Sequence, residues 1–322
     1  MKKALILINQ LSEAPTPDEQ DVLDQAQVVE EALLKLGFKT ERAFFSFNLE
    51  KTKQQIIESK ADYVFNLVES VDGKAELIHF APALLQSLKI PFTGSGAETM
   101  IITTNKPLAK QFCRFHGILT PDWHIAPSSK DLIHDKKYIA KPIYEDASVG
   151  IDDNSVFWGN DVQKLENYRT RYGNNFFVEE FIEGREFNIS VFAGKKKPIV
   201  LPPAEILFVN FPQDKPTIIG YQAKWKEDSF EYKNTQRTFE FSAKDNALIK
   251  KLEAITAQCW EVFNLRGYAR VDYRLDKNGN IYVLEANANP CLSADAGFYA
   301  AAMKAGFAFE DIIDFVIKDC IK

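Results

Sequence analysis

Residues 267–287 read Gly-Tyr-Ala-Arg-Val-Asp-Tyr-Arg-Leu-Asp-Lys-Asn-Gly-Asn-Ile-Tyr-Val-Leu-Glu-Ala-Asn, two alternating runs on either side of Asn278-Gly279. Asn-Gly between such runs is the strongest short-range hairpin signal, because both central residues of the tight turn need positive φ. With Asn278 and Gly279 central, Lys277 faces Asn280, Asp272 faces Glu285 and Arg270 faces Asn287. Strand side chains alternate, so Arg270, Asp272, Glu285 and Asn287 share one face, while Val271, Tyr273, Leu284 and Ala286 share the other. The second face predicts core. On the first, two directly opposed carboxylates repel unless a cation lies between them. Two carboxylates and an amide oxygen are hard ligands suited to Mg2+, with phosphate oxygens completing the shell. The competing reading is a solvated face whose charges do nothing.

Elsewhere, strand and helix patterns alternate. Ala4–Ile8 is a short apolar run, and 21–36 carries Val22, Leu23, Ala26, Val29, Leu33 and Leu36 at helical spacing before a Gly37 stop. Strands over 38–47 and 63–68, with helices over 51–60 and 77–88, predict a parallel α/β first lobe. Pro91 to Gly96 breaks that rhythm, and a helix over 106–116 opens a second lobe that includes a buried strand at 138–143. A strand series from 175 opens the third. The expected domains are therefore 1–93, 94–174 and 175–322. Residues 202–237, with four prolines and little periodicity, predict a functional flap, and 247–265 a helix.

The 322 residues carry 39 Lys+Arg against 45 Asp+Glu, a net charge of −6, which excludes a protein that coats nucleic acid or an anionic membrane by bulk charge. Cys113, Cys259, Cys291 and Cys320 are scattered without metal-ligand spacing, no apolar run reaches the length of a membrane span, and the polar Asn9 follows the first apolar run too soon for a signal peptide. The expectation is a reduced, cytoplasmic protein.

The hairpin, the Asn287-Ala288-Asn289-Pro290 that follows it, Lys141-Pro142, and Val178-Glu179-Glu180-Phe181-Ile182-Glu183-Gly184-Arg185-Glu186 together resemble the ATP-grasp superfamily. Within it, the chain resembles the D-alanine–D-alanine ligase family from about residue 61 onward, through Ile90 to Gly96, Asn105-Lys106, Ser148 to Ile151, Leu201 to Ile206, Tyr221 to Lys224 and Gly267 to Asp272. The resemblance implies a three-lobed ATP-grasp fold, α/β in the N-terminal domain and α+β in the later lobes. It implies a ligase in which Mg2+ (or Mn2+) and ATP convert a carboxylate to an acylphosphate that an amine attacks. By the same resemblance Lys106 and Lys141 contact the ATP phosphates, and Glu179, Glu180 and Ile182 hold adenine by its edge. Glu186 takes the ribose hydroxyls, and Asp272, Glu285 and Asn287 ligate the metal. Lys224 reaches the γ-phosphate, Arg270 stabilises the oxyanion of the tetrahedral intermediate, and Ser148 keeps one phosphate-loop hydroxyl; these three are the implied catalytic set. Such chemistry rests on charge neutralisation more than on covalent catalysis.

The chain departs from the family where substrate binds. Asp146-Ala147-Ser148 replaces Gly-Ser-Ser, Trp225 replaces the tyrosine after the flap lysine, and the N-terminal Ser/Glu stretch has become Asn9 to Pro17. These changes disfavour D-alanine as first substrate. Cys291 to Gly297 lacks the usual glycine and carboxylate-binding serine, and Asp295 there favours a cationic or larger amine. Glu69 is positioned to face the substrate cleft. Glu69, Trp225 and Asp295 are thus the candidate substrate residues, each of which also has a plain structural reading. The expected partners are a small carboxylate and an amine, with no nucleic acid and no membrane, and family analogy implies a homodimer through the first lobe. The alternatives are a non-catalytic or regulatory ATP-binding protein and a true D-alanine–D-alanine ligase. A P-loop kinase or dinucleotide-binding dehydrogenase lacks its motif here.

Overall fold

The computed structural model describes residues 2–320. Its first sheet is parallel, in the order β2-β1-β3, built from β1 (Lys3–Asn9), β2 (Lys39–Phe45) and β3 (Tyr63–Asn66). A continuous apolar run suits β1 because helices cover both faces of a parallel sheet, and Ala4 to Ile8 are fully buried. The helices of this lobe are α1 (Pro17–Lys35), α2 (Leu49–Ser59) and α3 (Phe80–Ser87). Thr16 and Glu19 form a capping box at the start of α1, with Pro17 in its first turn.

The helices α4 (Ala97–Thr104) and α5 (Lys106–Phe115) follow, then an antiparallel sheet of β4 (Trp123–Ile125), β5 (Lys137–Pro142), β6 (Val156–Trp158) and β7 (Phe176–Glu180), ordered β4-β7-β5-β6, with α6 (Val162–Tyr172) packed on it. Because β7 pairs with β4 and β5, the boundary expected at 174/175 falls one strand too early. Met100 of α4, with Ala109 and Cys113 of α5, packs instead into the core beneath the third sheet.

That sheet contains β8 (Arg185–Phe192), β9 (Ile199–Val200), β10 (Ala204–Phe208), β11 (Thr235–Thr238), β12 (Tyr268–Leu275) and β13 (Ile281–Asn287), in the order β11-β10-β8-β12-β13 with β9 beside β8. The flap expected over 202–237 is thus partly regular: it contains β10, the short helices α7 (Tyr221–Trp225) and α8 (Phe230–Asn234), and the start of β11. The helix α9 (Asn246–Val262) covers one face of the sheet. The helices α10 (Gly297–Lys304) and α11 (Phe309–Lys318) pack with α1 and β1, joining the first lobe to the third.

The hairpin β12–β13 pairs Arg270 with Asn287 and Asp272 with Glu285, as its alternation predicts. Its turn is different. Gly279 N donates to Asp276 O (3.1 Å) and Asp276 N to Asn280 O (3.0 Å), a three-residue loop with Gly279 at φ +84°. The register is therefore one residue off near the turn, where Tyr273 faces Val283, and an irregularity after Asp272 restores it. Leu284, expected on the core face, is the displaced residue and lines the cleft beside Glu285. At the other end of β12, Gly267 (φ +67°) leaves room for the Gly94 backbone, whose nitrogen would lie 2.9 Å from an added Cβ.

Candidate active site

Alternation along β12 and β8 puts Arg270, Asp272, Arg274, Glu186 and Asn188 on one face of the third sheet, opposite the core residues Phe187, Ile189, Val271 and Tyr273. Arg270 forks onto Asp272, its Nε and Nη2 each 2.8 Å from a carboxylate oxygen, and Nη2 lies 3.9 Å from Glu285 Oε1. Burial opposes ionisation of Glu285, yet Lys106, Arg270, Lys141 and Lys224 outweigh it and hold the carboxyl down to about 2. Asn287 Oδ1 accepts from Asn289 N (2.9 Å), which fixes the amide. No group of three or more His, Cys, Asp or Glu side chains poised for a metal occurs among the described residues. The donors here are two carboxylates and an amide oxygen, a set that fits Mg2+ only with ligands from a phosphate.

The lysines arrive from different elements. Lys106, at the start of α5, donates to Glu145 O (2.6 Å) and pairs with Asp146 (3.2 Å). Lys141, on β5, pairs with Glu179 (2.6 Å). Lys224, on α7, has no hydrogen-bond partner among the described residues, and burial and the Arg270 charge hold its ammonium below the ordinary lysine range. It is a cation without a direct partner, within electrostatic reach of Glu285, Asp272 and Asp146.

A slot of about 70 Å3 lies between the second and third sheets, with apolar walls from Ile139, Ile151, Phe181, Ile182, Ile218 and Leu284 and charged residues, Lys141, Glu179, Glu180, Glu186 and Arg274, at its border. The Glu179 carboxylate is almost fully buried between Lys141 and Lys110 (2.5 Å), so its side chain is engaged by protein, and Glu180 pairs with Lys136 (2.6 Å). What these residues can offer a flat ring is their backbone. Glu186 is held by Arg274 at 2.5 Å.

The loop between β5 and β6 is clamped to the flap: Ser148 Oγ donates to Ile219 O (2.7 Å) and Trp225 Nε1 to Ala147 O (3.0 Å). Ala147 and Ser148 both have positive φ, a conformation that side-chain-bearing residues rarely adopt. Tyr221 Oη donates to Asp18 Oδ1 of α1 (2.9 Å), joining the flap to the first lobe. Between these parts lies a cleft of about 710 Å3 whose walls include Asp18, Glu69, Glu145, Asp146 and Asp152 but also Arg171 and Lys226. Glu69 accepts from Gln25 Nε2 (2.8 Å), pairs with no lysine or arginine among the described residues, and is pushed up to about 8, mainly by burial. The Cys291 thiol donates to Asp21 Oδ2 (2.9 Å); burial and that carboxylate hold it protonated, so it is no nucleophile. Asp295 is exposed.

Lys110, Arg274 and the Asp21–Gln25 pair escape the sequence reading. One signal exists for each of two: Lys110 stands one helical turn after Lys106, and Gln25 interrupts the apolar stripe of α1 beside Ala26 and Val29.

A lobe-spanning cleft with a charged sheet face on one side and a lysine-bearing flap on the other is the ATP-grasp arrangement. The family model described as D-ala D-ala ligase C-terminus matches residues 113–318. The D-alanine–D-alanine ligase of Aquifex aeolicus is 27% identical over 303 residues, covering 92% of this chain and 94% of its own, and an uncharacterized protein of Sinorhizobium fredii is 29% identical over 257 residues, covering 79% and 73%. Among solved structures, the D-alanyl-alanine synthetase A of Vibrio cholerae superposes with a TM-score of 0.76 at 14% identity, covering 98% of both chains. The ATP complex of the Bacillus anthracis D-alanine–D-alanine ligase gives 0.74 at 20% identity, covering 99% of this chain and 97% of that one. The protein is an ATP-dependent ligase of the ATP-grasp type that uses ATP and Mg2+. It belongs to the D-alanine–D-alanine ligase family.

Proposed function

We propose that this ligase joins a small carboxylic acid to an amine, and that its first substrate is an acid other than D-alanine. The observation that carries the reading is the convergence of Arg270, Lys224, Lys106 and Lys141 around the Asp272–Glu285 pair. In this reading Lys106, Lys141 and Lys224 neutralise phosphate oxygens, and Arg270 faces the oxyanion that forms as the amine adds. Asp272, Glu285 and Asn287 hold Mg2+, which when bound screens the charge of the transferring phosphoryl group. Ser148 acts through the loop, tying it to the flap at Ile219. The slot beside Glu180 and Ile182 takes adenine through backbone groups, with Glu186, oriented by Arg274, at the ribose.

Glu69 is the candidate anchor for a substrate ammonium, because a cation beside it would relieve a buried carboxyl that lacks one. Trp225 acts on the same cleft from the flap through Ala147, which lines it and whose carbonyl the indole holds. The test is ADP release with Mg2+-ATP against pooled D- and L-amino acids, dipeptides, other acids and amines, with D-alanine alone as a separate well. Turnover in a non-alanine pool supports the reading. Turnover confined to D-alanine restores the specificity that the relatives' names carry and refutes ours.

A further inference from the structure

Lys110 has no part in the reading above, yet it sets an amine, 2% exposed, in the wall behind the slot. Its Nζ lies 2.5 Å from Glu179 Oε2 and donates to Thr120 Oγ1 (2.9 Å) and Leu284 O (3.3 Å), so protein surrounds it and no ligand reaches it. Glu179, 1% exposed, turns its other oxygen to Lys141 at 2.6 Å. Lys141 is the open member of the trio: it is 13% exposed and borders the slot together with Glu179, whereas Lys110 does not.

Counting charges shows what the buried lysine changes. Lys141 with Glu179 alone would be a neutral pair, and a cation already matched by a carboxylate attracts a phosphate weakly, because the carboxylate repels it. With Lys110 present the trio carries one net positive charge. Lys110 offsets Glu179 from the closed side, and the unmatched charge is that of Lys141 on the open side. That charge is felt across the site, since Lys141 is among the cations that hold the Glu285 carboxyl down. Burial lowers the Lys110 ammonium and Glu179 opposes that shift, while the two lysines hold Glu179 below the ordinary carboxylate range against its own burial. A bracing role alone could be filled by an apolar pair, without the cost of burying two ions.

We infer that Lys110 is a positioning residue for the nucleotide: by neutralising Glu179 from behind, it leaves the charge of Lys141 free for a phosphate oxygen. The inference rests on the reading in which Lys141 meets the ATP phosphates.

The test is the affinity of the full chain for Mg2+-ATP, Mg2+-ADP and adenosine, measured by calorimetry, in wild type, Lys110→Gln, Lys110→Arg, the double variant Lys110→Gln with Glu179→Gln, and Lys141→Gln. Adenosine carries no phosphate, so a variant that merely distorts the slot weakens all three ligands alike. Lys110→Gln keeps a donor and removes the charge; its nucleotide-to-adenosine affinity ratio should fall about tenfold or more, the scale of one charge lost from a partly desolvated wall. Lys110→Arg should keep the ratio. The double variant should restore it, because Lys141 is again unmatched, and with no lone buried charge it stays folded where Lys110→Gln does not. Equal loss of adenosine and nucleotides in Lys110→Gln, no loss there, or a ratio still depressed in the double variant would each overturn the inference. Lys141→Gln separates it from the reading beneath: nucleotide-selective loss in Lys141→Gln with none in Lys110→Gln removes only the role of Lys110, whereas wild-type nucleotide affinity in Lys141→Gln removes both.

Discussion

Lys110 Nζ lies 2.5 Å from Glu179 Oε2, with both side chains almost fully buried, and Lys141 reaches the other Glu179 oxygen at 2.6 Å. The pair ties α5, which packs under the third sheet, to β7 of the second. Lys110 also donates to Thr120 Oγ1 (2.9 Å) and Leu284 O (3.3 Å), so it reaches the bulge that faces the cleft. Burial opposes ionisation of Glu179, and the two lysines outweigh it.

Removing Lys110 leaves a buried carboxylate with half its compensation. Truncating one partner of a buried pair costs about 3 kcal/mol or more, so Lys110→Met should lower Tm by several degrees. Adding Glu179→Gln should recover much of the loss, because no uncompensated charge then remains. Thermal melts of the single and double variants check this; a Lys110→Met protein that melts like wild type would show the pair to be dispensable.

Glu69 gives a pH dependence of definite sign. Its carboxyl is raised from the ordinary glutamate range to about 8, chiefly by burial. Between about 4.5 and 8 the folded chain keeps a proton that the unfolded chain has released, so stability falls as pH rises through that window. Glu69→Gln keeps an acceptor for Gln25 and removes the titration. The variant should match wild type at pH 5 and melt higher at pH 8 in the absence of substrate. Parallel Tm curves for the two proteins across this range would refute the buried-carboxyl account.

Asp272→Asn removes one of two opposed carboxylates and the charge that orients Arg270. ADP release with the active substrate pool should fall at least 100-fold, the scale of losing one preorganised electrostatic contact, and EDTA should abolish it in wild type. Circular dichroism and the melting curve establish that the variant is folded. Retained turnover would remove Asp272 from the metal set.

How much of this was legible in the sequence depends on how far each contact reaches along the chain. The pairing of Asp272 with Glu285 is local, and alternation on either side of Asn278-Gly279 is enough to find it. It was found through two offsets that cancel, since the loop holds one residue more than a two-residue turn and the displaced Leu284 restores the count. The face assigned to Leu284 was wrong for that reason. Lys110 was not legible, because nothing in the pattern of α5 says that β7 will deliver Glu179 to it. The third-lobe boundary failed similarly: β7 reads as one more strand in a series, and only its pairing with β4 and β5 assigns it to the second sheet.

The flap gives the last prediction. It is held to α1 by Tyr221 Oη on Asp18 and to the loop at Ala147 by Trp225 Nε1, both surface-side contacts that contribute little to the core. Such hydrogen bonds are worth about 1 kcal/mol each, which is roughly a fivefold population change. Tyr221→Phe and Trp225→Phe remove one donor apiece while keeping the ring. Each should raise the KM for ATP or the acid severalfold with little change in Tm, and the double variant should show roughly the product of the two effects if the contacts act independently. Protease cleavage within 209–220 should quicken in the same order. If KM stays at the wild-type value while cleavage quickens, the clamps order the flap without closing the site, and the positioning role assigned to Ser148 on Ile219 loses its basis as well.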